Sequence, residues 1–180
     1  MIAEANRTTG EFATEPEAWI HFDSVMKTCG AFRVHREVDG EYIQPRPQSE
    51  SKGARVDRLL IPIAGAVDAG WDDGAIAVEG KASGSKLGPL ITQALDYTRC
   101  VFRLEKGPPG LLIVPTWVFI YPLDNPRGDL ESVMVNNRIG YVRATNGLIF
   151  SCGGTNGITI DDLGTITVKR LPMGRKRGSR

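Results

Sequence analysis

Ala75-Ile-Ala-Val-Glu-Gly-Lys81 and, after a small-residue loop, Leu87-Gly-Pro-Leu-Ile-Thr-Gln-Ala-Leu-Asp-Tyr97 form the stretch that decides the fold. The first segment alternates. Ile76 and Val78 point one way; Ala75, Ala77, Glu79 and Lys81 point the other, which predicts a strand. The second is helical: Leu87, Leu90, Ile91, Ala94, Leu95, Thr98, Val101 and Phe102 fall on one stripe of a 3.6-residue period. Gly107-Pro108-Pro109-Gly110 then stops the helix.

On the N-terminal side, Arg55 to Ile63 reads as a largely buried strand, joined to the first by a Gly65–Gly74 loop. Further upstream, Thr14-Glu-Pro-Glu17 has the form of a capping box, with Pro inside the first turn. Trp19, Phe22, Val25, Met26 and Cys29 follow at spacings of three and four, and Gly30 is a natural C-cap. Ala31 to Val38 alternates weakly, Asp39-Gly40 signals a turn, and Glu41-Tyr-Ile43 suits a returning strand. On the C-terminal side, Leu111 to Tyr121 reads as a third buried strand and Asp129 to Asn137 as a short helix. Tyr141-Val-Arg143, Leu148-Ile-Phe150 and Thr165-Ile-Thr-Val168 then read as short strands between Asn-Gly, Gly-Gly and Asp-Leu-Gly turns. The order predicts an α/β domain with a central mixed sheet. The expected organisation is a disordered segment 1–13, a single domain 14–168 and a basic tail 169–180.

The chain has 180 residues, 41% hydrophobic and 24% charged, which excludes a long disordered chain, a collagen, a coiled coil and a disulfide-rich miniprotein. No apolar run is long enough to span a bilayer, and no signal-peptide core follows Met1. Cys29, Cys100 and Cys152 contain no Cys-x-x-Cys, and His21 and His35 lack metal-ligand spacing to them, so a zinc site is not expected and the thiols suit a cytoplasm. The net charge of +1 hides an asymmetry. The tail carries Lys169, Arg170, Arg175, Lys176, Arg177 and Arg180 with no acid; 22 bases less these six leaves 16 against 21 acids, a body of −5. Such a tail is an electrostatic handle for a polyanion.

Asp57 lies near the start of the Arg55 strand. Glu79 and Lys81 share a face of the next. If the two strands pair, Asp57 comes beside Glu79, and two carboxylates that close repel unless a cation sits between them. Mg²⁺ or Mn²⁺ fits: a hard ion held by one or two carboxylates and water, with room for a phosphate oxygen. Lys81 is placed to orient or deprotonate water or to stabilise new charge.

Asp57, then a strand ending Glu79-Gly80-Lys81, then a long amphipathic helix, resembles the PD-(D/E)xK nuclease superfamily over roughly residues 14 to 121. Gln93-Ala-Leu-Asp-Tyr97 is similar to the Gln-x-x-x-Tyr motif of its RecB-like and λ-exonuclease-like branch. The resemblance implies a restriction-endonuclease-like core (αβββαβ, a central mixed sheet flanked by helices) with a β-rich C-terminal extension. It also implies a Mg²⁺- or Mn²⁺-dependent deoxyribonuclease that hydrolyses phosphodiester bonds in DNA. Asp57 and Glu79 map onto the metal ligands, the Gly80 carbonyl onto a further ligand, and Lys81 onto the catalytic lysine. Glu37 sits where several members carry another acidic ligand. The family's Pro before Asp is Val56 here. One turn apart on the helix and outside its apolar stripe, Gln93 and Tyr97 are positioned to hydrogen-bond a phosphate or orient the lysine. Arg55 and Lys86 are candidate phosphate contacts, as are Lys169, Arg170, Arg175, Lys176 and Arg177 of the tail. Asp72-Asp73 and Asp161-Asp162 read as turn solvation. A stand-alone enzyme, a homodimer and a subunit of a larger DNA-processing complex all suit the size, in a cytoplasm or, for a phage-encoded chain, its host's. Two other readings are a non-catalytic nucleic-acid-binding or assembly module on the same fold, and a β-rich interaction domain. No P-loop or helicase motif implies ATP.

Overall fold

The computed structural model describes residues 12–43, 53–80, 86–104, 111–124, 126 and 128–172. Helix α1 (Glu15–Cys29) opens as its capping box predicts: the Thr14 hydroxyl accepts from the Glu17 amide, and the Glu17 carboxylate reaches back to the Ala13 amide at 3.1 Å. Gly30 closes it in the left-handed conformation at φ 62°. The chain continues through β1 (Phe32–Tyr42), β2 (Gly53–Pro62), α2 (Ala64–Asp68), β3 (Ile76–Gly80), α3 (Leu87–Tyr97), β4 (Cys100–Arg103), β5 (Leu112–Ile113) and β6 (Trp117–Tyr121). It ends with α4 (Gly128–Asn136), β7 (Ile139–Ala144), β8 (Leu148–Cys152), β9 (Thr155–Ile160) and β10 (Ile166–Val168).

The strands form one ten-stranded sheet in the order β10-β9-β8-β7-β6-β3-β2-β1-β4-β5. β1, β2 and β3 are consecutive antiparallel neighbours; β6 lies parallel to β3 and β7 parallel to β6. The remaining pairs are antiparallel, so the protein is α/β with a large mixed sheet. At the centre both faces are covered, and β3 and β6 are buried at every position. Ile76, Val78, Trp117, Phe119 and Tyr121 pack with Ala18, Trp19, Phe22 and Met26 of α1. Ala77, Val118 and Ile120 pack with Leu90, Ile91, Ala94 and Tyr97 of α3. This is why these strands read as continuous apolar runs.

Four expectations are corrected. β1 runs unbroken through Asp39-Gly40, with no turn there. Gly40 is instead a packing glycine: a Cβ there would lie 2.6 Å from the Phe102 ring. The helix predicted to continue through Phe102 stops at Tyr97, where Thr98 Oγ1 donates to the Leu95 carbonyl and Cys100 Sγ to that of Asp96. Cys100 and Phe102 then alternate inward on β4, pairing with Tyr42 and Gly40. Leu111 to Tyr121 is two strands, β5 and β6, with Pro115 in the gap between them. Finally, the packed body extends beyond 14–168. Phe12 packs on His21 and Tyr121; Leu171 is 2% exposed over Gly157, and the Lys169 amide donates to the Gly157 carbonyl. Residues 1–11 and 173–180 lie outside the described residues.

Candidate metal and nucleic-acid site

In a regular strand, residues two apart share a face. β1 and β2 break this rule at one level. Phe32 and Val34 pack on the α1 side and Arg36 pairs with Asp23 of α1, yet Val38 joins the α3 side. Across the pair, Leu60 packs on the α1 side and Arg58 reaches Asp23, while Val56 belongs to the α3 side. The reversals fall at Glu37 and Asp57, which lie between the register pairs Arg36↔Arg58 and Val38↔Val56. Glu37 carries the strain, with φ at 51° in the left-handed region that a non-glycine residue rarely enters.

The β2–β3 ladder pairs Leu60 with Ile76, Leu59 with Ala77 and Arg58 with Val78. One step further, the Asp57 carboxylate accepts from the Gly80 amide at 2.8 Å. A side chain thus takes the place of the strand's own acceptor where β2 and β3 part. The same step sets Asp57 at the level of Glu79, so Glu37, Asp57 and Glu79 form a row across three adjacent strands.

Glu79 is 2% exposed and lies on the α3 side with Ala77. Tyr97, 4% exposed, closes the site from α3. Its hydroxyl donates to the Arg55 carbonyl at 2.6 Å and accepts from Gln93 Nε2 at 2.7 Å. Burial raises the Tyr97 pKa well above its usual value. The Glu79 charge, a hydrogen bond with Glu79 and the Asp57 charge push the same way, against the Gln93 hydrogen bond. Both carboxylates therefore act on one phenol, and Gln93 and Tyr97 work as a pair. Spacing alone puts Tyr97 well off the apolar stripe of its helix, facing a ligand. It is a buried strut instead, because its helix ends there and the ring packs edge-on to Phe102.

The other predicted residues are less concentrated. Glu37 forms an ion pair with Arg55 on the outer surface, and among the described residues no three of His, Cys, Asp and Glu gather into a metal cluster. Glu37 thus lines up with the pair in register while its carboxylate serves Arg55. Lys86 is exposed at the N-cap of α3. Lys169 and Arg170 are exposed beyond β10, five strand spacings from β3, or roughly 24 Å, so the structure does not bring them to the carboxylates. Lys81, Arg175, Lys176 and Arg177 lie outside the described residues. Asp161 Oδ1 accepts from the Leu163 and Thr165 amides within its turn, as expected, whereas Asp73 reaches out of its turn to accept from the indole of buried Trp117 on β6 at 3.2 Å.

Sequence reasoning missed the support behind the row. Trp19 of α1 lies against Gly80, where a Cβ would fall 2.2 Å from its ring. Arg58, Asp23 and Arg36 complete this group. By spacing, Trp19 reads only as one member of an apolar stripe. The adjacent pair Asp57-Arg58 was the available signal, since a charged residue inside a buried strand requires a partner.

The donor set fits a hard divalent cation. Asp57 and Glu79 offer carboxylate oxygens at one level of neighbouring strands, and placing two anions together in partly desolvated surroundings favours a cation beside them. No thiolate or imidazole is among these donors, which argues for Mg²⁺ or Mn²⁺ over zinc. The chain matches no protein-family model, no curated protein and no solved structure. No helix among the described residues is long and apolar enough to cross a membrane.

Proposed function

We propose that this chain is a Mg²⁺- or Mn²⁺-dependent nuclease that hydrolyses phosphodiester bonds in DNA, built on a restriction-endonuclease-like core. The observation that carries the reading is the convergence of Asp57, Glu79, Tyr97 and Gln93 where β2 and β3 part. The element order is compatible with it: α1, the antiparallel strands β1 to β3 with the short α2 before β3, then α3, and β6 parallel to β3, with β4 and β5 intervening between α3 and β6.

Asp57 and Glu79 would hold the cation, with the Gly80 carbonyl as a further oxygen donor. When bound, such an ion neutralises phosphate charge and acidifies a water. The chain's own residues do the rest. Asp57, through the Gly80 amide, ties the end of β3 to β2. Tyr97, fixed by Gln93 and the Arg55 carbonyl, closes the site from α3 beside Glu79. Lys81, next in sequence after Gly80, orients the attacking water or takes its proton. Arg55 and Lys86 contribute exposed positive charge for the phosphate backbone. Cys29, Cys100 and Cys152 remain thiols, as a reducing cytoplasm would keep them, and we place the protein there.

The test is cleavage of plasmid and linear DNA with Mg²⁺ or Mn²⁺. We expect cleavage by the native chain and background activity for Glu79→Ala. Undiminished cleavage in excess chelator would overturn the proposal.

A further inference from the structure

The carboxylate row faces α3, but its geometry is held from the opposite side of the sheet. Arg58 is 6% exposed, on the strand residue after Asp57. Its guanidinium forks onto Asp23 of α1, Nε to Oδ1 and Nη2 to Oδ2, both at 2.9 Å. The third arm, Nη1, donates to the backbone carbonyl of Asp57 at 2.7 Å. The plane of the same guanidinium stacks 4.2 Å from the centre of the Trp19 ring. Trp19 in turn fills the space where Gly80 has no Cβ. Asp23 is steadied by a second cation, Arg36, at 2.9 Å.

One helix face therefore touches both strand ends that carry the carboxylates: Asp57 through Arg58, and Glu79-Gly80 through Trp19. We propose that Arg58, Asp23 and Trp19 are positioning residues that set the spacing of Asp57 and Glu79 for the divalent cation, an inference that rests on the metal-site reading above. A buried ion pair is a poor way to stabilise a helix–sheet contact, because its desolvation offsets much of the attraction and apolar packing serves as well. No apolar side chain, however, could donate to the Asp57 carbonyl. That bond lies at the residue where β2 changes face, on a backbone that Asp57 itself joins to Gly80. The bidentate fork makes the choice of arginine specific, since lysine supplies charge without the fixed geometry.

The experiment separates positioning from stability. Mn²⁺ binding is measured by calorimetry without DNA, alongside thermal midpoints, for the full chain and four variants. Arg58→Lys and Asp23→Asn break the fork. Arg58→Met/Asp23→Leu replaces it with apolar packing. Met26→Ala, also on α1 in the core, serves as a stability control. Loss of a group that supports metal ligands typically weakens metal affinity by about ten- to a hundredfold. We expect that loss in the three fork variants, persisting in Arg58→Met/Asp23→Leu even where its thermal midpoint matches or exceeds that of the native chain. Met26→Ala should lose thermal stability and keep native affinity. Native affinity in Arg58→Met/Asp23→Leu and in Arg58→Lys, with the native chain binding Mn²⁺, would overturn the positioning role alone. Absence of saturable binding by the native chain would overturn the metal site together with it.

Discussion

Among the described residues the sheet is irregular at two levels, and they differ in the groups they bring together. At the β8–β9 step the register shifts between Phe150 and Ser151. The fully buried Ser151 hydroxyl donates to Asn156 Oδ1 at 2.8 Å, and Arg143 donates to the same oxygen at 3.1 Å. A carbonyl acceptor is met by donors, which is how buried polar groups are usually satisfied. At the Glu37–Asp57 level the irregularity brings Asp57 level with Glu79, with Asp57 accepting from the Gly80 amide and Glu37 paired with Arg55. Asp57 and Glu79 both bear on Tyr97, and a second helix supports them from behind. At the Ser151 bulge local bonding accounts for the Asn156 carbonyl, although Arg143 Nε is buried without a partner. Asp57 and Glu79 stand at one level beside a residue held in the left-handed region, and that level is the proposed cation site.

Substitutions sharpen the contrast. The largest effect among them belongs to Lys81→Ala, which should slow DNA cleavage by on the order of a hundredfold or more, the scale of a lost general base or charge stabiliser. Single-turnover rates at saturating Mg²⁺ measure it; a native rate would remove Lys81 from the chemistry. Tyr97→Phe and Gln93→Ala should act more mildly, on the order of tenfold, since each loosens the surroundings of Glu79 without removing the carboxylate. Here the Mg²⁺ concentration for half-maximal rate should rise. An unchanged Mg²⁺ dependence in both variants would confine the pair to packing α3 on the sheet.

The Ser151 bulge should respond in stability alone. Ser151→Ala should cost about 1 kcal/mol, the net worth of an ordinary hydrogen bond, and leave cleavage intact. A drop in cleavage at preserved stability would show that the two irregularities are coupled. The adjacent Cys152 adds a pH signature. Burial, followed by the Glu131 charge, pushes its thiol up from 9.0 to about 12. A raised folded pKa contributes stability in full below the unfolded value, near 9. That contribution is lost as pH rises toward about 12, because only the unfolded thiol ionises in that window. Denaturation midpoints between pH 8 and 11 should therefore fall less steeply for Cys152→Ala than for the native chain; parallel curves would refute it.

Much of this contrast could be read from the chain before its structure. The capping box at Thr14 and the two-faced strand Ile76–Gly80 rest on short-range patterns, which survive folding unchanged, and the pairing of Asp57 with the end of that strand follows from the antiparallel neighbourhood of β2 and β3. Where reading failed, distant contacts decided. Asp39-Gly40 has turn chemistry, but Phe102 needs a glycine beneath its ring, so the strand runs on. Val101 and Phe102 extend the stripe of α3 by spacing, yet pairing with β1 makes them a strand. Arg58 gave no periodic signal, because its three partners come from two different elements. Leu171 sits among basic neighbours and is buried only because Gly157 leaves a hollow for it.

The central claim is that Asp57 and Glu79 form a divalent-cation site while the Ser151 bulge does not. Mn²⁺ titration of the native chain, Asp57→Asn, Glu79→Gln and Ser151→Ala, followed by calorimetry without DNA, tests it most directly. The account predicts saturable binding by the native chain and by Ser151→Ala, and its loss in both carboxylate variants. Equal binding by all four proteins, or none by the native chain, would contradict it.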